Sequence, residues 1–212
     1  PRVGDTMTLT TAHLSISLDG YVAGPDQSFA DPLGRGGLAL HRWHLGSDQG
    51  EVDARWSDRI LRPGCAYVMG RNMFGPVRGG WDSWRPTDGS GEWRGWWGEE
   101  PPYHAPVFVL THHEYDPVEM VGGTTFHFVT TGFADALRLA REAGNGDVSV
   151  AGGASTVRQA IAAGELDELT LDIAPVVLGG GERIFDGSIR PTLEILEAEH
   201  SPLATHVRYR VG

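Results

Sequence analysis

Short apolar segments bounded by turn residues recur along the whole chain. They are rich in β-branched and other apolar residues, and some alternate apolar with polar positions, a pattern typical of strands. The predicted strands are residues 8–18 (TLTTAHLSISL), 65–70 (CAYVMG), 106–111 (PVFVLT), 124–130 (TTFHFVT), 147–152 (DVSVAG), 166–179 (LDELTLDIAPVVLG) and two final strands around 193–199 and 203–211.

Helical periodicity appears between several of these strands. Residues 133–144 (FADALRLAREAG) and 155–164 (STVRQAIAAG) are predicted helices, and each stops at a glycine. Shorter segments at 38–46 and 51–61 have apolar spacing that predicts short helices, and residues 71–75 begin a helical turn.

Strands separated by helices favour a largely parallel sheet with helices on both faces. The last strands have no long helices between them, which favours antiparallel edge strands. The pattern therefore predicts an α/β fold in which residues 1–212 form a single domain around a mixed sheet of about eight strands.

A long irregular segment from Gly75 to Pro106 interrupts this alternation. It carries five tryptophans, Trp81, Trp84, Trp93, Trp96 and Trp97. Loops of this length are usually functional or disordered. The aromatic rings suit stacking on a flat ligand in a cleft, and they equally suit a dimer contact or a small satellite core beneath the loop.

Composition limits the range of partners. The chain has 212 residues, a formal net charge of −11 and a single cysteine, Cys65. One cysteine excludes an internal disulfide framework and a cysteine-based zinc site, so Cys65 is predicted to be a core thiol. The negative charge argues against nucleic acid as a partner. Without a long apolar run or signal-peptide features, the sequence predicts a cytoplasmic protein with no membrane partner.

Two junctions between strand and helix carry glycine. Gly70 ends one predicted strand, and the pair Gly152-Gly153 stands between another strand and its helix. A helix start exposes unpaired N–H groups and the positive end of its dipole, and glycine lets a phosphate approach the backbone. Arg71 adds a forked cation. Glycine also starts helices for purely structural reasons, so neither junction by itself identifies a ligand site.

Four motifs occur in an order that resembles the dihydrofolate reductase fold. They are SLDGYVAG at 17–24, VMGRNMF at 68–74, VFVLTHH at 107–113 and VAGGASTVRQ at 150–159. Residues 163–187 are similar to the reductase domain of the bifunctional riboflavin-biosynthesis protein. The resemblance extends over nearly the whole chain, from residue 8 to residue 211.

The resemblance implies an NADPH-dependent reductase in which the two glycine junctions hold the cofactor from opposite ends. The residues implied along its phosphates are Gly70, Arg71, Asn72 and Met73, with Gly152, Gly153, Ala154, Ser155 and Thr156 at the pyrophosphate. The residues implied at the adenosine ribose and its 2′-phosphate are Thr111, His112 and His113, and those at the nicotinamide are Val22 and Ala23. A cis Gly152-Gly153 bond and a homodimer formed through the late strands are also implied.

The substrate side is less well defined. Dihydrofolate reductases carry a pterin-binding carboxylate on the helix before the MGR strand, which makes Asp53 the candidate catalytic residue here, with a solvated helix carboxylate as the alternative. Riboflavin-type reductases carry an acidic, pyrimidine-binding residue immediately before the glycine pair, and this position is Ala151. His41 and His44 lack a cysteine or carboxylate at matching spacing, so no metal site is predicted.

The sequence as a whole predicts hydride transfer from NADPH to a C=N or C=O bond of a small heterocyclic molecule, pterin-like or pyrimidine-like. The alternative is a nucleotide- or pterin-binding protein of the same fold without turnover.

Overall fold

The computed structural model of the protein describes residues 8–81 and 94–212. Within these ranges the strands are β1 (Thr10–Ser17), β2 (Tyr21–Ala23), β3 (Ala66–Gly70), β4 (Pro106–Leu110), β5 (Val118–Glu119), β6 (Thr125–Val129), β7 (Val148–Gly152), β8 (Glu168–Ala174), β9 (Glu182–Arg183), β10 (Leu193–His200) and β11 (Thr205–Val211). The helices are α1 (Arg42–Leu45), α2 (Glu51–Ser57), α3 (Arg71–Phe74), α4 (Phe133–Ala143) and α5 (Ala154–Ala162), with 3₁₀ segments at Gly37–His41 and Val121–Gly123.

Nine strands form one mixed sheet in the order β10-β11-β8-β1-β7-β3-β4-β6-β5. The strands from β8 to β6 in this order are parallel, whereas β11, β10 and β5 pair antiparallel with their neighbours. The predicted mixed sheet with antiparallel late strands is thus confirmed. The predicted number of about eight is short by β5, which has only two residues and therefore shows no periodicity.

The sheet separates two apolar clusters because successive side chains of a strand point to opposite faces. In β3, Ala66 and Val68 belong to the cluster beneath α4 and α5. Tyr67 and Met69 belong to the cluster on the other face, which also contains Phe74 of α3. Helices therefore lie on both faces of the sheet, as predicted.

The two longest helices follow the predicted periodicity. In α4 the buried residues are Phe133, Ala136, Leu137 and Ala140, and in α5 they are Ala154, Thr156, Val157, Ala160 and Ile161. Spacings of three and four place these side chains on the face that packs on the sheet. Gly164, just beyond α5, has φ +67°, the left-handed conformation with which glycine commonly ends a helix.

The predicted core thiol is buried. Cys65 is 2% exposed, and burial raises the pKa of its thiol. In the tryptophan-rich segment, Trp81 is also buried in the cluster that contains Met69, whereas Trp84 and Trp93 lie outside the described residues. Over residues 8–81 and 94–212, no helix is long and apolar enough to cross a membrane.

Candidate active site

A cavity of about 1090 Å³ opens at the carboxyl ends of the parallel strands β3, β4, β6 and β7. Every position that the resemblance assigned to the cofactor lines it: Val22, Ala23, Gly70, Arg71, Asn72, Met73, Thr111, His112, His113, Gly152, Gly153, Ala154, Ser155 and Thr156. The fold therefore brings together segments that are separated by more than a hundred residues in the sequence.

The two glycine junctions meet at this cavity because β3 and β7 are parallel neighbours, with Met69 opposite Gly152. A Cβ atom on Gly70 would lie 2.8 Å from Thr156 Oγ1, so a larger residue at position 70 would push the junctions apart. Gly152 has φ +133°, and its bond to Gly153 is cis, as the resemblance implied. A Cβ atom on Gly153 would meet no described atom within 4 Å, so this residue borders open space.

Helix α5 presents free backbone donors to the cavity. The N–H groups of Thr156 and Val157 donate to the Gly153 carbonyl at 3.1 and 3.2 Å. No residue that the structure describes accepts a hydrogen bond from the N–H groups of Ala154 or Ser155, as expected for the first residues of a helix. These two donors, at the positive end of the helix dipole, suit an anionic group.

Arg71 adds a cation with unused donors. Its guanidinium carbon lies 4.1 Å from the centre of the Trp81 ring, and Trp81 is itself held by a 2.9 Å bond from its Nε1 to the carbonyl of His113. The Nε and Nη2 atoms of Arg71 are buried without a hydrogen-bond partner among the described residues. Burial lowers the pKa of this guanidinium. A bound anion would therefore both pair the donors and compensate the charge.

The loop after β4 forms the rim of the cavity on the same side. Thr111 is buried, and its Oγ1 accepts a 3.1 Å hydrogen bond from the His113 backbone N–H. The side chains of His112 and His113 are exposed. The Trp81 bond to the His113 carbonyl ties this rim to the tryptophan beneath Arg71.

The other end of the cavity has a polar floor that the sequence analysis missed. His13 and Ser15 of β1, Ser149 of β7 and Asp172 of β8 all line it. A signal was present in the sequence, because polar residues alternate with Leu14 and Ile16 in a strand that lies at the centre of the sheet. Polar side chains on a central strand need hydrogen-bond partners, and the other polar groups that line the cavity provide them.

A buried hydrogen-bonded chain extends from this floor. His13 Nε2 lies 2.7 Å from Asp172 Oδ2, and Asp172 Oδ1 lies 2.7 Å from His206 Nδ1. His206 Nε2 lies 3.2 Å from Asp53 Oδ1, which also accepts a 2.6 Å bond from Ser201 Oγ. Because carboxylates only accept, both ring nitrogens of His206 donate, as in the charged form of histidine.

Asp53, the candidate catalytic residue, is placed behind the cavity and does not line it. It is 1% exposed. Its Oδ2 accepts the Gly50 N–H at 3.1 Å at the start of α2, and its Oδ1 is taken by His206 and Ser201. This position corrects both expectations for Asp53, since the carboxylate neither reaches a ligand directly nor is solvated; Asp172 is the carboxylate on the floor.

The charged side chains in this hydrogen-bonded series, Asp172, His206 and Asp53, stabilise one another. Burial disfavours ionisation of Asp172, but hydrogen bonds and charges from His13 and His206 lower the pKa of its carboxyl below the ordinary value. Burial likewise disfavours charge on His206, but Asp172 and Asp53 raise the pKa of its imidazole. Asp172 and His206 therefore form a buried ion pair with Asp53 on the far side of the ring.

His41 and His44 form a separate pair on the cavity wall. His41 Nδ1 lies 3.0 Å from His44 Nε2, and the Nε2 atom of His41 is buried without a partner among the described residues. Burial, with His44 as the second cause, lowers the pKa of His41 to about 4. Across residues 8–81 and 94–212, no group of three or more His, Cys, Asp or Glu side chains is arranged to hold a metal ion.

The neutral state of buried His41 makes stability depend on pH. Between the ordinary histidine pKa of 6.5 and the folded value of about 4, the unfolded chain binds a proton that the folded chain does not. The free energy of unfolding is therefore expected to fall as pH drops through this window, by up to about 3 kcal/mol from this residue. In His41→Gln the slope should be shallower, measured by urea unfolding between pH 7 and 4.5. A surface variant, His200→Gln, is the control, and equal slopes in all three proteins would contradict the assignment.

Two tryptophans of the irregular segment form another part of the wall. The Nε1 atoms of Trp96 and Trp97 donate to the same carbonyl, that of Met73, at 2.8 and 3.0 Å. Both side chains line the cavity, and their ring centroids are 4.6 Å apart. The part of the segment that the structure describes thus places aromatic surface beside the site, which suits a flat ligand.

The sheet order and the cavity at the carboxyl ends of its parallel strands define a dihydrofolate reductase-like fold. Residues 9–207 match the family model of the RibD C-terminal domain, and the chain belongs to this family. The family is the reductase domain of riboflavin-biosynthesis proteins, which places the protein in an oxidoreductase family.

Solved structures agree with this fold. A putative riboflavin biosynthesis protein from Shewanella sp. PV-4 is 18% identical with a TM-score of 0.65, and the match covers 97% of this chain and 99% of that one. A pyrimidine reductase-like protein from Corynebacterium diphtheriae is 16% identical with a TM-score of 0.55, over 97% and 92% of the two chains. The Thermotoga maritima deaminase/reductase is 15% identical with a TM-score of 0.54, over 97% of this chain and 57% of that one. A search of curated protein sequences gave no significant match.

Proposed function

We propose that the protein is an NADPH-dependent reductase that transfers a hydride to a C=N or C=O bond of a small, pterin-like or pyrimidine-like molecule. The observation that carries the proposal is the convergence of unused donors on one cavity. Arg71, whose buried Nε and Nη2 have no partner among the described residues, lines this cavity together with Ala154 and Ser155, whose N–H groups are free, in a chain whose net charge is −11. Such donors suit the phosphates of a dinucleotide.

The glycine pair leaves room for a phosphate beside the backbone. A Cβ atom on Gly153 would occupy open space at the cavity, because it meets no described atom within 4 Å. Arg71 and the α5 donors would hold the phosphates, Thr111, His112 and His113 would border the adenosine ribose, and Val22 and Ala23 the nicotinamide. When bound, NADPH supplies the hydride, and the protein orients the two reactants and provides the proton.

The acceptor would bind in the same cavity, beside the residues proposed for the nicotinamide. His13, Trp43, Trp96 and Trp97 line this cavity, together with Ala151 immediately before the glycine pair. Family membership makes a riboflavin-pathway pyrimidine a candidate acceptor. Ala151 provides no charged group for a pyrimidine, so this acceptor would depend on the other polar groups of the floor.

The cofactor is tested by direct binding. We expect the protein to bind NADPH, measured by calorimetry and by a rise in Tm, since ligand at 100 times its Kd adds about 2.7 kcal/mol to stability. Arg71→Ala should weaken binding of NADPH. A greater loss for NADPH than for NADH assigns Arg71 to the 2′-phosphate, and an equal loss assigns it to the pyrophosphate. Absence of NADPH binding to the folded native protein would refute the proposal.

Turnover separates the reductase from a binding protein of the same fold. Consumption of NADPH is followed at 340 nm with dihydrofolate, pterins, pyrimidinones and cyclic imines as acceptors. Oxidation with at least one acceptor supports the reductase. Tight NADPH binding without oxidation by any of them would favour the binding protein instead.

A further inference from the structure

We propose that His13 is the proton donor of this reduction and that Asp172, His206 and Asp53 are positioning residues behind it. The inference rests on the proposed function, because a proton donor is needed only if a hydride is transferred. It assigns a role to buried polar groups that binding of the cofactor does not use.

His13 stands beside the glycine pair on the cavity floor. The pairing of β1 with β7 ends at Ala12 opposite Val150, and His13 and Ala151 are the next residues along their strands. Both residues line the cavity, and Gly152 and Gly153 come next along the chain. A proton donor at this position lies next to the junction that would hold the cofactor, where the acceptor has to bind.

One nitrogen of the His13 imidazole is bonded to a carboxylate, and the other has no partner among the described residues. Nε2 of His13 is bound by Asp172 at 2.7 Å, and among the described residues nothing is bonded to Nδ1. The ring is stacked on Trp43, with centroids 6.2 Å apart and planes 21° apart, and the side chain is 9% exposed. A ring that is oriented by a carboxylate, with its second nitrogen unbonded in a residue that lines the cavity, has the arrangement of general acids and bases.

The groups behind His13 keep Asp172 ionised and in place. His206 of β11 lies between two carboxylates, Asp172 of β8 and Asp53 of α2. The positive imidazole thus holds Asp172 in place, and Asp53 holds the imidazole. The titratable groups beside the ring are Asp172 and His44, and His206, Asp53 and His41 act on these two in turn. The residues of β7 that line the cavity are Ser149, Ala151 and Gly152, none of which titrates.

His41 is a poorer candidate although it also lines the cavity. No carboxylate among the described residues is bonded to its imidazole, and burial lowers its pKa to about 4. His13 instead has a carboxylate that stabilises the imidazolium when it forms.

The proton balance of the step is complete. Bound NADPH would supply a hydride, with both electrons of its nicotinamide C4–H bond, for the new C–H bond at the acceptor carbon. The π electrons of the C=N or C=O bond would move to the heteroatom, which takes the proton from Nδ1 of protonated His13. NADPH would thus be oxidised and the acceptor reduced, and neutral His13 would regain a proton from water.

The test compares His13→Gln with the native protein and with His200→Gln, an exposed histidine at the end of β10. Glutamine keeps an N–H donor toward Asp172 but cannot donate as an acid. We expect NADPH binding to be unchanged within about twofold and kcat at pH 7 to fall by about 100-fold or more. The decline of kcat with rising pH in the native protein should be lost in His13→Gln and kept in His200→Gln.

The outcomes distinguish this inference from the function on which it rests. No NADPH oxidation by the native protein with any acceptor overturns the proposed function and this step with it. Native-like kcat and pH profile in His13→Gln overturn the inference alone.

The positioning role is tested without an acceptor by NMR of ¹⁵N-labelled histidines at one fixed pH. In Asp172→Asn, or in Asp53→Asn if the first variant does not fold, the ring-nitrogen resonances of His13 should shift, because the carboxylate that holds Nε2 is lost or displaced. Unchanged His13 resonances in a folded variant overturn the role of these carboxylates.

Discussion

Replacing Gly153 by valine is expected to weaken NADPH binding by at least about 100-fold while the protein stays folded. A Cβ atom at this position meets no described atom within 4 Å, so the side chain displaces a ligand and not the protein. It would block access to the free N–H groups of Ala154 and Ser155. Each hydrogen bond to a charged group contributes about 1.5–3 kcal/mol, so the loss of two corresponds to a factor of 100 or more.

The measurement is a calorimetric titration with NADPH beside an unfolding curve without ligand. Gly153→Ala, with a smaller side chain, should lose less affinity than Gly153→Val, and both should unfold close to the native midpoint. Native affinity in a folded Gly153→Val protein would show that the cofactor does not approach this junction.

Asp53→Ala is expected to lower the free energy of unfolding by about 3–5 kcal/mol, the usual cost of removing one partner from a buried ion pair. The substitution removes the hydrogen bonds that Asp53 accepts from Gly50 N–H, Ser201 Oγ and His206 Nε2. It also leaves the buried His206 imidazolium with Asp172 as its remaining carboxylate. The measurement is chemical denaturation near pH 6.

Asp58→Ala, immediately after the same helix, provides the control, because Asp58 is exposed and should change stability by no more than about 0.5 kcal/mol. The difference between the Asp53→Ala and native proteins should narrow at alkaline pH. The raised pKa of His206 gives stability that is present below the ordinary histidine pKa and lost as pH rises through the folded value. Equal stability of Asp53→Ala and Asp58→Ala would contradict the burial and pairing of Asp53.

The glycine junctions of the cavity could be predicted from the sequence because local motifs carry them. A glycine at the end of a strand that a helix soon follows is a short-range feature, and Gly70 and Gly152 are both of this kind. The parallel sheet then brings the two junctions together, since strands that run in one direction end at the same edge. The residues that the resemblance implied for a cofactor therefore line one cavity, and their role there stays a prediction.

The floor of the cavity could not be predicted from the sequence, because the contacts that form it join residues far apart in the chain. His13 and Asp172 are 159 residues apart, and only the pairing of β1 with β8 brings them together. The resemblance makes Asp53 a candidate by its place on the helix before the MGR strand, and a position along the chain does not reveal that His206 covers this carboxylate. Helical spacing identifies a helix, but the neighbour that packs on each face is decided by the tertiary structure.

The sequence by itself determined the order of strands and helices, the mixed α/β sheet and the two glycine junctions, because period, turn residues and glycine act over a few positions. Only the tertiary structure decided that Arg71 stacks on Trp81 with its donors unused, that Asp53 lies behind His206, and that His13 with Asp172 forms the floor. These arrangements depend on which strands pair and which side chains lose water together, and no local pattern encodes either.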